Sequence, residues 1–215
     1  MLIDRYHEAV EALLKTVRET QRENIEKAGE IVANAVETGH KIYLGHIVHG
    51  IEMDLIYRGG GPIFYKEYKL GETELKEGDV LFVSSVSGRT KTVVDLAWDC
   101  MQKGVHVIAL TSMVYASKVD PVHESGKKLH EFVTLALDNC APAAEAMLEV
   151  EGLEAHFAAS SGISSDYIMW SLTSVCVEKM LADGFTPGIL KSANFPGGND
   201  YNKQIIEPHY EEFGW

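Results

Sequence analysis

Apolar residues in the opening segment recur at helical spacing. Val10, Leu13, Leu14 and Val17 follow an i, i+3, i+4, i+7 pattern, and Ile25, Ala28, Val32, Ala35 and Val36 repeat that face. Asp4 offers a cap and Gly39 a stop. The segment reads either as one long helix or as two joined near Gln21 to Asn24. So wide an apolar face on an early helix predicts packing on a partner chain, and hence a dimer.

From residue 41 the pattern changes to short apolar strands alternating with helices. "KIYLG" (41–45), "PIFYKEY" (62–68), "DVLFVSS" (79–85), "VHVIALTS" (105–112) and "FVTLALDN" (132–139) read as five strands. The second is the most polar and is placed nearer an edge; the fourth is almost continuously apolar, as a strand covered on both faces must be. Helices are predicted over 49–58, over 90–104 with Val94, Ala97, Trp98 and Met101 inward, over 142–156 and over 166–183. Residues 191–215 read as a loop-rich tail. This alternation predicts an α/β fold: a three-layer αβα sandwich, flavodoxin-like, around a five-stranded and mainly parallel sheet, preceded by an N-terminal helical arm. No repeat, low-complexity tract or linker divides the chain. The expectation is one domain over 1–215, made of an arm (1–39), a core (40–190) and a tail (191–215).

Composition narrows the class of partner. The 215 residues are 46% hydrophobic and 24% charged, as in a globular protein. No apolar run approaches a membrane span, and "MLIDRYHEAVEALLK" lacks the layout of a signal peptide. A net charge of −13 disfavours nucleic acid, although amides and hydroxyls can still hold a small anion in an acidic protein. Cys100, Cys140 and Cys176 are odd in number and show no metal-type spacing, so they read as small buried residues of a reducing, cytoplasmic compartment.

The third strand runs into "SSVSGRT" (84–90), just before a helix. On composition it is either a plain Ser/Gly turn with a Thr cap or a cradle for an anion. Gly88 permits positive φ, the hydroxyls can donate, and the amides opening the next helix favour negative charge. With the following "VIALTS", the stretch resembles the sugar isomerase (SIS) domain family, whose Ser-x-Ser-Gly-x-Thr loop binds the phosphate of a phosphosugar. "GVHVIALTSMVYASKVDPVHESGKKLHE", "DNCAP", "LEVEGL" and "KSANFPGGNDYN" narrow the likeness to a bacterial branch of single-domain SIS proteins and extend it over roughly residues 3–205. Carried over, the resemblance implies a phosphate seat at Ser85, Ser87, Gly88 and Thr90. It places Ser112 in the next loop of the same sheet edge, and it implies further ligand hydroxyls at Ser160 and Ser161. The bland alternative for that last run is that Ser164 to Asp166 cap the final helix.

The first loop departs from the family's glycine-rich pattern, because His46, Ile47, Val48 and His49 follow Gly45. His46 and His49 can bind a metal or do acid–base work, or they are ordinary loop residues. The resemblance puts Asp54 where aldose–ketose isomerases of the family carry a glutamate base; Glu52 is the other acid on that helix. Further along, His123, Ser125 and Lys127 follow the fourth strand, with His123 suited to ring opening or carbonyl polarisation and Lys127 to an anion. Asn194, Asp200 and Asn202 in the tail are candidates for closing the site. The expected function is isomerisation of a sugar phosphate, or another anionic sugar, between aldose and ketose through an enediolate. It needs no organic cofactor and proceeds in a homodimer or a dimer of dimers. The alternatives are a non-catalytic phosphosugar-binding module and a metal-assisted isomerase or epimerase using His46 and His49. "YLGHIVHG" lacks the Gly-x-Gly-x-x-Gly spacing of a dinucleotide site.

Overall fold

The computed structural model describes residues 1–45 and 48–208. The opening segment is a single helix, α1 (Leu2–Glu37), unbroken through Gln21 to Asn24. It starts too early for Asp4 to cap it; that carboxylate lies in the first turn and accepts a hydrogen bond from the N-terminal amine at 2.8 Å. Gln21 keeps the helix whole by finding a tertiary partner, since its side-chain oxygen accepts from the Asp138 amide at 3.1 Å.

Five strands form one sheet: β1 (Ile42–Leu44), β2 (Tyr65–Glu67), β3 (Val80–Ser84), β4 (His106–Thr111) and β5 (Leu135–Asp138). Their order is β2-β1-β3-β4-β5 and every pairing is parallel. The more polar β2 is an edge strand, as its sequence predicts. Alternate residues face opposite layers, the period-two geometry of a strand. Ile42, Leu44, Val80, Phe82, Ile108, Leu110 and Leu137 join one core with α1 and α5 (Ser161–Ala182). Leu81, Val83, Val107 and Ala109 join the other, beneath Val94, Ala97 and Cys100 of α3 (Lys91–Gln102). Trp98 and Met101, expected inward on α3, are only half-buried; Cys100 takes the inner position. Among the described residues, no helix is long and apolar enough to cross a membrane.

The structure corrects several expected elements. Residues 142–156 are not helical. Ala144 and Glu145 adopt left-handed backbone (φ 64° and 72°), and the chain continues as β6 (Ala146–Leu148), a turn through Gly152, and β7 (Phe157–Ala159), which pairs antiparallel with β6. The stretch is rich in helix formers, but tertiary bonds override that weak preference: the amide and the hydroxyl of Ser160 both donate to the Glu145 carbonyl, at 3.1 and 2.8 Å. The last long helix consequently starts at Ser161, with Ser164 and Asp166 inside it and Ser160 at the capping position. The helix expected over 49–58 shrinks to a 3₁₀ turn, Val48–Gly50, and α2 (Glu52–Leu55). After a short α4 (Met113–Ala116) and the long α5, the tail carries α6 (Gly198–Tyr201) and a π-turn, Asn202–Ile206. Asn202 there does not reach a site. Its side chain bonds both the amide and the carbonyl of Lys191, each at 2.9 Å. The aromatic end of the tail, 209–215, lies outside the described residues.

The α1–α5 contact depends on a missing side chain. A Cβ on Gly29 would sit 2.7 Å from Val175 Cβ and 2.9 Å from the Leu172 carbonyl oxygen, so the two helices approach only because α1 has glycine there. Gly29→Ala should therefore overpack this contact and lower stability by about 1–3 kcal/mol, read as a lower denaturant midpoint. An unchanged midpoint would show that the helices can separate at no cost.

Candidate functional site

In an open parallel sheet the loops leaving the carboxyl ends of the strands meet at one rim, and the crevice opens where the strand order reverses. Here that reversal falls between β1 and β3, so the loops after β1 and β3 flank it.

The loop after β3 is tightly braced. Ser85 Oγ accepts a hydrogen bond from the Thr90 amide at 3.1 Å and shares another with Thr90 Oγ1 at 2.9 Å. The Gly88 amide donates back to the Ser85 carbonyl at 2.8 Å, with Gly88 at φ 68°. A Cβ at Gly88 would lie 3.3 Å from Thr111 Oγ1, so both conformation and space favour glycine. Ser85 is only 5% exposed; it shapes the loop from within and does not face outward. Ser87 is half-buried and Thr90 exposed. The amides of Ser87 and Arg89, and the Arg89 guanidinium, make no hydrogen bond or ion pair among the described residues.

His46 lies outside the described residues. His49 occupies the 3₁₀ turn in a left-handed conformation (φ 54°), two-thirds exposed, with Nε2 3.3 Å from Glu145 Oε2. Asp54 on α2 has both carboxylate oxygens engaged: Oδ1 with Arg58, Oδ2 with the indole Nε1 of Trp170 at 3.2 Å. Asp166, one turn before Trp170, places a buried Oδ1 near this cluster with no partner among the described residues. Burial, and then the negative charge of Asp54, push its carboxyl above the usual aspartate range. Glu52 is half-buried on the same short helix.

Sequence reasoning did not find Glu145. Its carbonyl holds Ser160, and its Oε2 accepts from Ser161 Oγ at 2.7 Å and lies 3.3 Å from His49 Nε2. Ser160 and Ser161 are fully buried, so their hydroxyls are used to position Glu145 rather than offered to solvent. The signal that could have exposed Glu145 is the Pro142 and Gly152 bracket around "AAEAMLEVE", which breaks the apparent helix.

Much of the loop beyond β4 is committed to packing. Ser112, fully buried, donates to the Ala141 carbonyl at 2.6 Å and accepts from the Tyr115 amide. His123 Nδ1 lies 2.7 Å from Ser125 Oγ, while its Nε2 lies 3.7 Å from Asp95 and its ring packs on Trp98. The His123 ring thus rests on α3, on the sheet face opposite α5, and no contact among the described residues joins it to His49. Lys127 is exposed, its amide donating to Ser125 Oγ at 3.3 Å. Among the described residues, no three His, Cys, Asp or Glu side chains gather as metal ligands.

A five-stranded parallel sheet whose order reverses between β1 and β3, with helices on both faces, defines a doubly wound α/β protein. The SIS domain family profile matches residues 5–67 and 62–112. A UPF0309 protein of Shouchella clausii (strain KSM-K16) is 31% identical over 96% of each chain. The chain belongs to the SIS domain family. Among solved structures it resembles a putative phosphosugar isomerase involved in capsule formation from Bacteroides fragilis (TM-score 0.54, 20% identity, 86% of this chain and 93% of that one). It also resembles the Vibrio vulnificus NanR protein complexed with ManNAc-6P (TM-score 0.53, 15% identity, 99% and 70%). At these identities the structural likeness establishes the fold alone.

The Asp166 environment gives a pH signature. A carboxyl whose folded pKa is raised binds its proton more tightly when folded, so its destabilising effect is greatest above that folded pKa and fades as pH falls through it. Asp166→Asn should raise the denaturation midpoint at pH 7, with the gain shrinking toward pH 4. A gain that is absent at pH 7, or that grows on acidification, would contradict the burial argument.

Proposed function

We propose that the protein binds a phosphorylated sugar at the crevice between β1 and β3 and isomerises it between aldose and ketose through an enediolate. The observation that carries this reading is the Ser85–Thr90 brace. When Ser85 donates its proton to Thr90 Oγ1, the Thr90 hydroxyl hydrogen is left free on the exposed side of the loop. Together with the Ser87 hydroxyl and the Ser87 and Arg89 amides, it gives a phosphate neutral donors, with the Arg89 guanidinium beside them. The phosphate therefore needs no lysine cluster in a chain of net charge −13.

The sugar's carbonyl end then lies toward the loop after β1, where His49 can exchange protons with the two oxygens. Asp54, the position matched to the family's base, holds Arg58 and Trp170 with its two oxygens. That engagement favours one competing reading, a phosphosugar-binding module without catalysis. The metal-assisted reading rests on His46 together with His49, and His46 lies outside the described residues. Exposed Leu2, Ile3 and Tyr6 on the arm, beside Phe157, would serve a homodimer.

Incubation with aldose and ketose phosphates in deuterated water separates catalysis from binding. The wild-type protein should bind one of them and incorporate deuterium at C1 or C2, as read by NMR. Thr90→Val should weaken binding about 10- to 100-fold, the worth of a hydrogen bond to a charged group. Binding without exchange would leave the binding module. Undiminished binding by Thr90→Val would overturn the phosphate seat.

A further inference from the structure

We propose that Glu145 is the catalytic base that moves the carbon-bound proton. This rests on the isomerase reading above and names the group that reading lacks.

Three observations converge on this residue. First, its carboxylate is aimed by two partners from different parts of the chain: Ser161 at the start of α5 donates to Oε2 at 2.7 Å, and His49 of the β1 loop lies 3.3 Å from the same oxygen. Oε1 takes part in neither contact. Second, both members of the His49–Glu145 pair sit in left-handed backbone, at φ 54° and 72°. Such conformations cost a non-glycine residue free energy, persist only where their surroundings impose them, and cluster at reacting sites. The surroundings here are explicit, because the Ser160 amide and hydroxyl clamp the Glu145 carbonyl and the Glu145 amide donates to the Pro142 carbonyl at 2.8 Å. Third, the Glu145 side chain remains a quarter exposed with Oε1 in neither contact, so a substrate can reach it; the Asp54 side chain is also partly exposed, but each of its oxygens already has a partner, Arg58 or Trp170.

The step balances within the substrate. The Glu145 carboxylate takes the proton from C2 of the open-chain aldose phosphate. The C–H pair becomes the C1–C2 double bond, and the carbonyl π pair moves to O1. His49 gives a proton to O1 and takes one from O2. The carboxyl then returns its proton to C1 as the O2 carbonyl forms, and both side chains end as they began. A positioned base of this kind contributes roughly 10²–10⁴-fold to such a step.

The test compares Glu145→Gln, Glu145→Asp and Asp54→Asn in the deuterium assay at saturating sugar phosphate, with binding measured by calorimetry. Glu145→Gln should lose at least ~100-fold in exchange while its dissociation constant stays within about threefold, a loss confined to the chemical step. Glu145→Asp, which keeps the charge but withdraws it by one methylene, should retain binding and lose at least ~10-fold in exchange. It decides the matter if the glutamine variant does not fold. Exchange within about threefold of wild type in the folded Glu145 variants would overturn the proposal, most directly if Asp54→Asn abolished exchange instead. Loss of binding in step with exchange would also overturn it, by making Glu145 a binding group. A wild-type protein that binds sugar phosphates and exchanges nothing would sink the isomerase reading itself, and the assignment of Glu145 with it.

Discussion

One hydroxyl folds the loop after β3 back on itself. By accepting the Thr90 amide and sharing a proton with the Thr90 hydroxyl, Ser85 closes a six-residue arc whose crest is Ser87 to Arg89. A buried hydroxyl with its hydrogen bonds made is a rigid strut; with them unmade it would be a liability. This strut fixes which donors look outward, and the functional reading follows from that fixed set.

The rest of the architecture brings a second set of groups to the same rim. The α1–α5 layer, brought close by Gly29, sets where α5 begins, and Asn139 in the "DNCAP" stretch ties that start to β5 through Ser165 at 3.2 Å. Asn139 also holds the Ala141 amide, and Asp138 the amides of Met113 and Cys140. The segment from β5 to Glu145 is thus a bonded scaffold rather than a free loop. It delivers a carboxylate to the loop of β1 from an element three strands away in sheet order. The proposed phosphate seat follows β3, while the proposed proton-transfer pair joins His49 after β1 to Glu145 after β5, so the sheet order would set where a sugar's two ends lie.

Much of the fold was legible because its signals are local. Apolar runs at 42–44, 80–84 and 106–111 mark strands, and the 3.6-residue stripe of α1 marks a helix. Gly88, at φ 68°, and its neighbouring hydroxyls marked a tight loop after β3 for the same reason. What the sequence hid depends on distant partners. Glu145 lies among Ala, Met, Leu and Glu, and only the clamp from Ser160 turns that stretch into a turn and a strand. Ser85, Ser112 and Ser160 resemble ligand-facing serines by position, yet their hydroxyls are consumed inside the scaffold, a fact of packing that no spacing encodes. Asp54 matched a catalytic position, but the proximity of Trp170 and Arg58 decides what its oxygens do.

The central claim is that the crest of the β3 loop is an anion seat made of neutral donors. Its most direct test is an NMR titration of isotope-labelled protein, first with inorganic phosphate and then with sugar phosphates, following each backbone amide. The amides of Ser87 and Arg89 should move first and saturate together, ahead of every other part of the chain. If they stay fixed while phosphate binds elsewhere, or while nothing moves at all, the seat does not exist.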